Sequence, residues 1–340
     1  MGISTMRAAV IHEIGPADSI SIEQVPVPRP SQGEVLVRVT ATTVNHVDTF
    51  VRSGAYRTPL RFPFVIGRDL VGVVEATASD VTRFHQGDEV WCNSLGHHGR
   101  QGSAAEFACV PQDRLYRMPH GVDPVEFVAV VHPAATAWLG LVEHGRLAAG
   151  DTAFVGGGAG NVGACAVAFA LSLGSRVVTT VSGRDLEQFT ASGAVAIDYN
   201  SPDVDAVLTD ALIDHDRRPV EASPHSGADV WLDTSGTLAL PQAIPLLAER
   251  GRIVLISGIA RHDVLRFGDL YTHDRAIVGF AISNATTDEL TRAADAIGNA
   301  AASGTLPTLS VARHSLEYAA EAHADLEAGR THRSRLVLVP

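Results

Sequence analysis

Cysteine is scarce. Three residues, Cys92, Cys109 and Cys165, are spread through 340 positions, too few and too far apart for a disulfide framework. That scarcity points to a reducing compartment. Positive charge is also short: 26 Lys and Arg stand against 38 Asp and Glu, a formal net charge of -12. No basic run could lay a patch along a phosphate backbone, so nucleic acid is excluded as a partner. The acidic excess reads as a solubility surface. No stretch is read as approaching the ~20 continuous apolar residues of a membrane span, and Met1–Arg7 has no apolar signal core. The chain is therefore expected in the cytoplasm, without a membrane partner. What the sequence does have is 46% hydrophobic residues and 31 glycines. This is the composition of a compact enzyme, at a length that suits two domains.

The first third reads as strands. Arg7–His12, Ser19–Val25, Glu34–Ala41, Leu70–Ala76 and Glu89–Cys92 are short and separated by turn residues such as Pro26–Pro30 and Gly87-Asp88, which suggests a partly closed barrel. Val125–His144 is Ala-, Val- and Leu-rich with helical spacing, interrupted by Pro133. From Asp151 strands and helices alternate. Thr152–Val155, Arg176–Val181, Val195–Ile197, Val230–Leu232, Arg252–Ser257 and Ala276–Phe280 are the strands, with helices at Asn161–Leu173 and Leu186–Ser192. That alternation implies a doubly wound parallel sheet. Ala222–Gly227 reads as a surface loop. Thr287–Ala302 is helical, and the last strand, Arg335–Val339, is expected to return to the first domain.

Asp151–Gly163 reads DTAFVGGGAGNVG, and Gly158-x-Gly160-x-x-Gly163 fits a dinucleotide fingerprint. The first glycine is expected to make the sharp turn, the second to let the backbone approach a pyrophosphate, and the third to let the helix pack close to the sheet. Backbone N–H groups at the start of the helix would then face the phosphate, and Gly158, Ala159, Gly160, Asn161, Val162 and Gly163 are expected to bind the cofactor. An NAD site ends its second strand in an acid that holds the ribose 2′-hydroxyl. Here that strand runs into Ser182-Gly183-Arg184, and Asp185 comes slightly late. Ser182 and Arg184 could hold a 2′-phosphate, which favours NADP(H) over NAD.

With these segments in hand, the chain resembles the medium-chain dehydrogenase/reductase superfamily, and within it the zinc-free quinone oxidoreductases related to zeta-crystallin. The resemblance is carried by Asn45–Tyr56 (NHVDTFVRSGAY), Phe64–Val74 (FVIGRDLVGVV), Gly102–Phe107 (GSAAEF), Pro133–Trp138 (PAATAW), the glycine turn, Ala196–Tyr199 (AIDY), Asp233–Gly236 (DTSG), Gly251–Gly258 (GRIVLISG) and Arg335–Pro340 (RLVLVP). It implies an α/β architecture: a Rossmann doubly wound parallel sheet over 126–285, plus a chaperonin-10-like β-barrel domain over 1–125 and 286–340, with the active cleft between them. It further implies that Asn45 lies beside the nicotinamide ribose and Thr136 near the cofactor. Tyr199 would pack by the adenosine phosphate. Ser257 and Gly258 would lie at a strand end beside the cofactor, with Phe280, Ala281 and Ile282 lining the nicotinamide side. Arg335 would replace a lysine usual near the C-terminus. A homodimer through the Rossmann domains is implied, with sheet edges pairing near Gly279–Ser283. The chain departs from its relatives at Phe50, where many have a tyrosine, at His46, where many have proline, and in the His- and Gly-rich loop Leu95–Gln101.

Zinc-dependent relatives carry Gly-His-Glu where this chain has Gly67-Arg68-Asp69, and a cysteine ligand expected near Asn45–Asp48 is missing. No metal is expected. Adjacent His97 and His98 would point to opposite faces of an extended chain, and His132 reads as a packed histidine. Without a metal, hydrogen-bond donors must stabilise the oxygen on which charge develops. Tyr56 is the first candidate, Asn45 the second, and Arg68, which could instead pair with Asp48 or Asp69, the third. For Tyr56 the alternative is simple packing at the barrel rim. The reading is an NADPH-dependent quinone reductase acting on a small quinone or conjugated carbonyl. The alternatives are an NADPH-dependent enone or enoyl C=C reductase, or a nucleotide-binding protein with little catalysis.

Overall fold

The computed structural model describes residues 4–213, 227–331 and 333–340. The expected loop at 222–227 lies, apart from Gly227, outside them. The chain divides into two compact units. Unit 1 comprises Met1–His132, Thr286–Ser303 and Thr308–Pro340; unit 2 comprises Pro133–Ala285 and Gly304–Pro307.

Unit 1 holds strands β1 (Thr5–Ile11), β2 (Ser21–Pro26), β3 (Glu34–Thr43), β4 (Phe64–Val65), β5 (Leu70–Thr77), β6 (Glu89–Cys92), β7 (Phe107–Pro111) and β8 (Tyr116–Arg117). Unit 2 holds β9 (Thr152–Gly156), β10 (Arg176–Val181), β11 (Val195–Asp198), β12 (Ala228–Asp233), β13 (Leu247–Leu255) and β14 (Ala276–Gly279). The chain then returns to unit 1 for β15 (Val311–Ser315) and β16 (Arg335–Val339).

In unit 1 a seven-stranded sheet runs β15-β16-β3-β5-β6-β8, with β7 also paired to β3, and a small sheet runs β2-β1-β4. β3 is the hub, because its length and its alternating face let it pair with three strands. Two shifts in its register against β5 bend it, at Leu36/Val37 and Val39/Ala41. The adjacent Gly72 accommodates the bend: a Cβ there would lie 2.3 Å from the Arg38 carbonyl oxygen. The last strand pairs antiparallel with β3, Val337 opposite Thr43. Apolar cores around Ile11, Phe64, Ile66 and Leu338, and around Val35, Val37, Leu70 and Val90, fill the unit.

In unit 2 every strand pair is parallel, in the order β11-β10-β9-β12-β13-β14. Renumbered within the unit this is 3-2-1-4-5-6, the doubly wound Rossmann order. β9 is buried at every position, as a central strand covered on both faces must be. Its Phe154 packs with Val178, Ile197, Trp231 and Ile253 in one core.

The helix Pro124–Trp138 continues into a π-helical stretch, Leu139–His144. This 21-residue run corrects one expectation: by length and composition it is apolar enough to cross a membrane. Yet 78% of its apolar window is buried inside the protein. A helix apolar all round is what a core helix requires, so the run reports burial.

Candidate active site

In unit 2, β9 leaves the sheet at Gly156 and enters the helix Asn161–Ser172 through four residues. The left-handed residue is Gly157, at φ 74°, one position before the glycine expected to make the sharp turn. Gly158 is required for another reason: a Cβ there would lie 2.1 Å from Thr179 Oγ1 on β10. Its N–H donates to the Thr180 carbonyl at 2.9 Å, and the Gly157 N–H donates to Thr180 Oγ1 at 3.1 Å, so β10 braces the turn. A Cβ at Gly163 would meet the Gly157 carbonyl oxygen at 2.1 Å, which fits the expected close packing of the helix. Gly160 is the N-cap and supplies no side-chain acceptor. The first-turn N–H groups of Asn161, Val162 and Gly163 therefore suit an anion such as a pyrophosphate.

At the end of β10, Ser182 is buried, and its hydroxyl donates to Asp185 Oδ2 at 2.6 Å. Arg184 Nε donates to the same Ser182 oxygen at 3.2 Å. The acid that looked late in the sequence thus reaches the strand end, and a second carboxylate stands close: a Cβ on Gly183 would be 2.8 Å from Asp198 Oδ2. Tyr199 follows β11, half exposed, its N–H donating to the Val181 carbonyl at 3.0 Å. Ser257 and Gly258 follow β13 and line a cavity of about 90 Å³ with Asp233, Gly236 and Arg261. After β14, the Phe280 ring stacks on His144 at 4.5 Å, and Ala281 leads into the turn Ile282–Asn284. Thr136 lies on the part of the long helix that belongs to unit 2.

Asn45, Tyr56, Arg68 and Arg335 all belong to unit 1. Asn45 is buried at the start of the helix His46–Ser53. Its Nδ2 donates to Asp69 Oδ2 at 2.8 Å, and its Oδ1 accepts from an Arg335 NH2 group at 2.7 Å. Thr43 Oγ1 donates to Asp69 Oδ2 at 2.6 Å, and His132 Nδ1 stands 3.3 Å from Asp69 Oδ1. Arg335 Nε also donates to the Ala129 carbonyl at 2.9 Å. Arg68 is 1% exposed and packs beside Asp48 rather than Asp69, with Nε 3.8 Å from Asp48 Oδ1. Its Nε and one NH2 have no hydrogen-bond partner among the described residues. Tyr56 is half-buried against the barrel core, its ring stacked on His97 at 5.6 Å.

Two carboxylates in this buried network are pushed in opposite directions. Burial raises Asp48 to about 6, with the Arg68 cation opposing and Asp69 adding to the rise. Burial also works to raise Asp69, but the attraction of His132 and the donors on His132, Thr43 and Asn45 outweigh it and hold Asp69 below its usual range. Thr43, Asp48, Asp69 and His132 were not singled out from sequence as site residues. Among the described residues no cluster of three or more His, Cys, Asp or Glu is placed to hold a metal ion.

The fold agrees with that of known proteins. The alcohol dehydrogenase GroES-like domain matches residues 31–120, and the zinc-binding dehydrogenase family matches residues 161–299. A quinone oxidoreductase of Mus musculus is 27% identical over 339 residues, 99% of each chain. A zinc-type alcohol dehydrogenase-like protein of Schizosaccharomyces pombe is 30% identical over 282 residues, 75% of this chain and 77% of that one. Among solved structures, a Pseudomonas syringae quinone oxidoreductase has a TM-score of 0.81 at 25% identity, covering 98% of this chain and 100% of its own. An NAD-dependent alcohol dehydrogenase scores 0.82 at 28% identity with the same coverage. A mycobacterial protein complexed with NADPH scores 0.78 at 27%, again covering 98% and 100%. The chain belongs to the medium-chain dehydrogenase/reductase superfamily, quinone oxidoreductase type, and is an oxidoreductase that uses a nicotinamide dinucleotide.

Proposed function

We propose that the chain reduces quinones with NADPH and without a metal. The observation that carries this reading is Arg68, a buried guanidinium at the position where zinc-dependent relatives place a histidine ligand. A guanidinium has donors and no lone pair to give a metal. The alkoxide formed from a simple aldehyde demands strong stabilisation, which a Lewis acid supplies in the zinc-dependent relatives, whereas a quinone takes hydride readily and needs only hydrogen-bond donors. The glycine turn would hold the cofactor's pyrophosphate, with Ser182 and Arg184 at the ribose 2′ position and Tyr199, Ser257, Gly258, Phe280, Ala281, Ile282 and Thr136 along the rest of it. When bound, the dihydronicotinamide supplies two electrons and a hydrogen as hydride. In unit 1, Tyr56 presents a hydroxyl to the acceptor oxygen. Asn45 is held in orientation by Asp69 on one side and Arg335 on the other. Arg68 contributes a buried positive charge beside Asp48, whose proton burial holds up to about 6.

The test is oxidation of NADPH by the full chain with a benzoquinone and with a 2-alkenone. Turnover of the benzoquinone is expected. Turnover of the alkenone alone would assign a C=C reductase, and tight NADPH binding with no turnover of either would leave a nucleotide-binding protein.

We infer also that two copies pair through unit 2. β14 is an edge strand of its sheet, and the segment before it exposes Ile259, Val264, Phe267 and Tyr271, of which Val264 is 90% exposed. An open edge beside a row of exposed apolar side chains is what a second copy would cover.

A further inference from the structure

The loop Leu95–Gln101 is fastened on both sides. The Leu95 N–H donates to the Arg68 carbonyl at 3.1 Å. A Cβ on Gly96 would lie 2.6 Å from the Gly67 carbonyl oxygen, so the loop backbone rests directly on the Gly67-Arg68 turn. On the other side the Gly99 N–H donates to the Pro59 carbonyl, and the His98 N–H to Thr58 Oγ1, both at 3.1 Å. These anchors follow Tyr56 by two and three residues. Left-handed backbone at Gly96, His98 and Gly99 gives the loop its tight course. Its apex residue, His97, is thereby fixed between the segments that carry Arg68 and Tyr56.

His97 is 3% exposed, stacked on Tyr56 at 5.6 Å and set edge-on to His98 at 4.0 Å. Its Nδ1 is sealed from solvent with no hydrogen-bond partner among the described residues. An unpaired buried N–H is rarer than an unpaired acceptor, so the proton belongs on Nε2, the nitrogen that keeps access. The cations of Arg68, Arg100 and Arg114 stand around the ring, which favours a lone pair over a proton at Nδ1. Burial first, then His98 and these arginines, pull its pKa down to about 4, so the imidazole is neutral near pH 7. A neutral imidazole is a poor proton source and a good N–H donor, the role it takes in enzymes that polarise a carbonyl.

We propose that His97 is a catalytic residue of the reductase, whose Nε2–H donates a hydrogen bond to the acceptor's carbonyl oxygen beside Tyr56 as that oxygen becomes negative. This rests on the reductase reading above. The acceptor gains hydride from the nicotinamide and a proton from water, and His97 itself neither gains nor loses a proton. The class of acceptor this suits is a conjugated carbonyl with an exposed oxygen, reduced without general acid catalysis from the imidazole.

His97→Phe keeps the stacked ring and removes the donor, while His97→Asn restores an N–H. Both are measured in the full chain with NADPH and a benzoquinone. The Phe variant should lose at least about tenfold in kcat, with the NADPH dissociation constant and melting temperature unchanged, and the Asn variant should recover part of that loss. Wild-type kcat in the Phe variant would overturn the proposal. So would equal losses in both variants accompanied by a lowered melting temperature, or failure of both to fold, since either assigns His97 to packing. A wild-type chain that binds NADPH and turns over no acceptor sinks the reductase reading instead, which separates the two failures.

Discussion

Asp48 and Asp69 lie in the same buried network, yet their protons behave oppositely. Asp69 collects short donors from Thr43 and Asn45, whereas the cation nearest Asp48, Arg68, stands 3.8 Å away, too far for a hydrogen bond. Because the folded chain holds the Asp48 proton up to about 6, against a usual value of 3.8, the stability tied to it is fully present below the unfolded value and is lost as pH rises through about 6. That rise corresponds to roughly 3 kcal/mol. Asp48→Asn cannot ionise, so its stability relative to the parent should improve by up to about 3 kcal/mol between pH 4 and pH 7. Urea unfolding across that range is the check, and a difference that ignores pH would rule out the raised ionisation. For Asp69 the sign reverses: its contribution is present at neutral pH and lost on acidification, so the deficit of Asp69→Asn should shrink as pH falls.

The Ser182 hydroxyl is shared between Asp185 and Arg184. An arginine there favours a 2′-phosphate and a carboxylate repels it. Arg184→Ala should therefore weaken NADPH binding about tenfold with little change for NADH, and Asp185→Asn should tighten NADPH. Equal effects on both cofactors would place the two residues away from the 2′ position. In the sequence Ser182 and Arg184 stand out while Asp185 looks late, but the turn after β10 folds Asp185 back onto Ser182. Asn45 and Arg68 were legible too. Asp48 was legible as a possible partner of Arg68, but the rest of the network was not: His132 is 63 residues from Asp69 and Arg335 is 290 from Asn45, and no local pattern links them. One signal was available. Asn45 and Asp48 are spaced as a capping box, and Asp48 Oδ2 does accept from the Asn45 N–H at 2.8 Å.

Among the elements, the glycine turn is the most constrained. Gly163→Ala would drive a methyl group to within 2.1 Å of a backbone carbonyl, and backbone cannot step aside as a side chain can. The variant is expected to lose about 1–3 kcal/mol of stability and most of its cofactor affinity. Calorimetry with and without NADPH reads both, and unchanged binding would show that the turn is not the cradle. The strands of unit 2 are legible because most of their residues are buried on both faces: TAFV at Thr152–Val155 falls within one residue of the observed β9, which is buried throughout. In unit 1, Phe64–Val65 and Tyr116–Arg117 are two residues long, and pairing partners far along the chain define them. No periodicity can be read in two residues.

For the whole molecule, the exposed apolar segment before β14 makes a prediction about mass. The chain should sediment at twice its 35.8 kDa, and Phe267→Asp should shift it towards the single-chain mass. A parent chain that sediments at 35.8 kDa would remove the pairing. β16 closes against β3 and brings Arg335 to Asn45 across 290 positions. A ribosome delivers Asn45 290 residues before Arg335. The Rossmann strands, by contrast, are all delivered by residue 279 and can assemble while synthesis continues. The barrel must wait, its polar centre missing a guanidinium until the final strand emerges. Nascent chains halted before residue 335 should therefore expose their first unit to protease while the second already resists it.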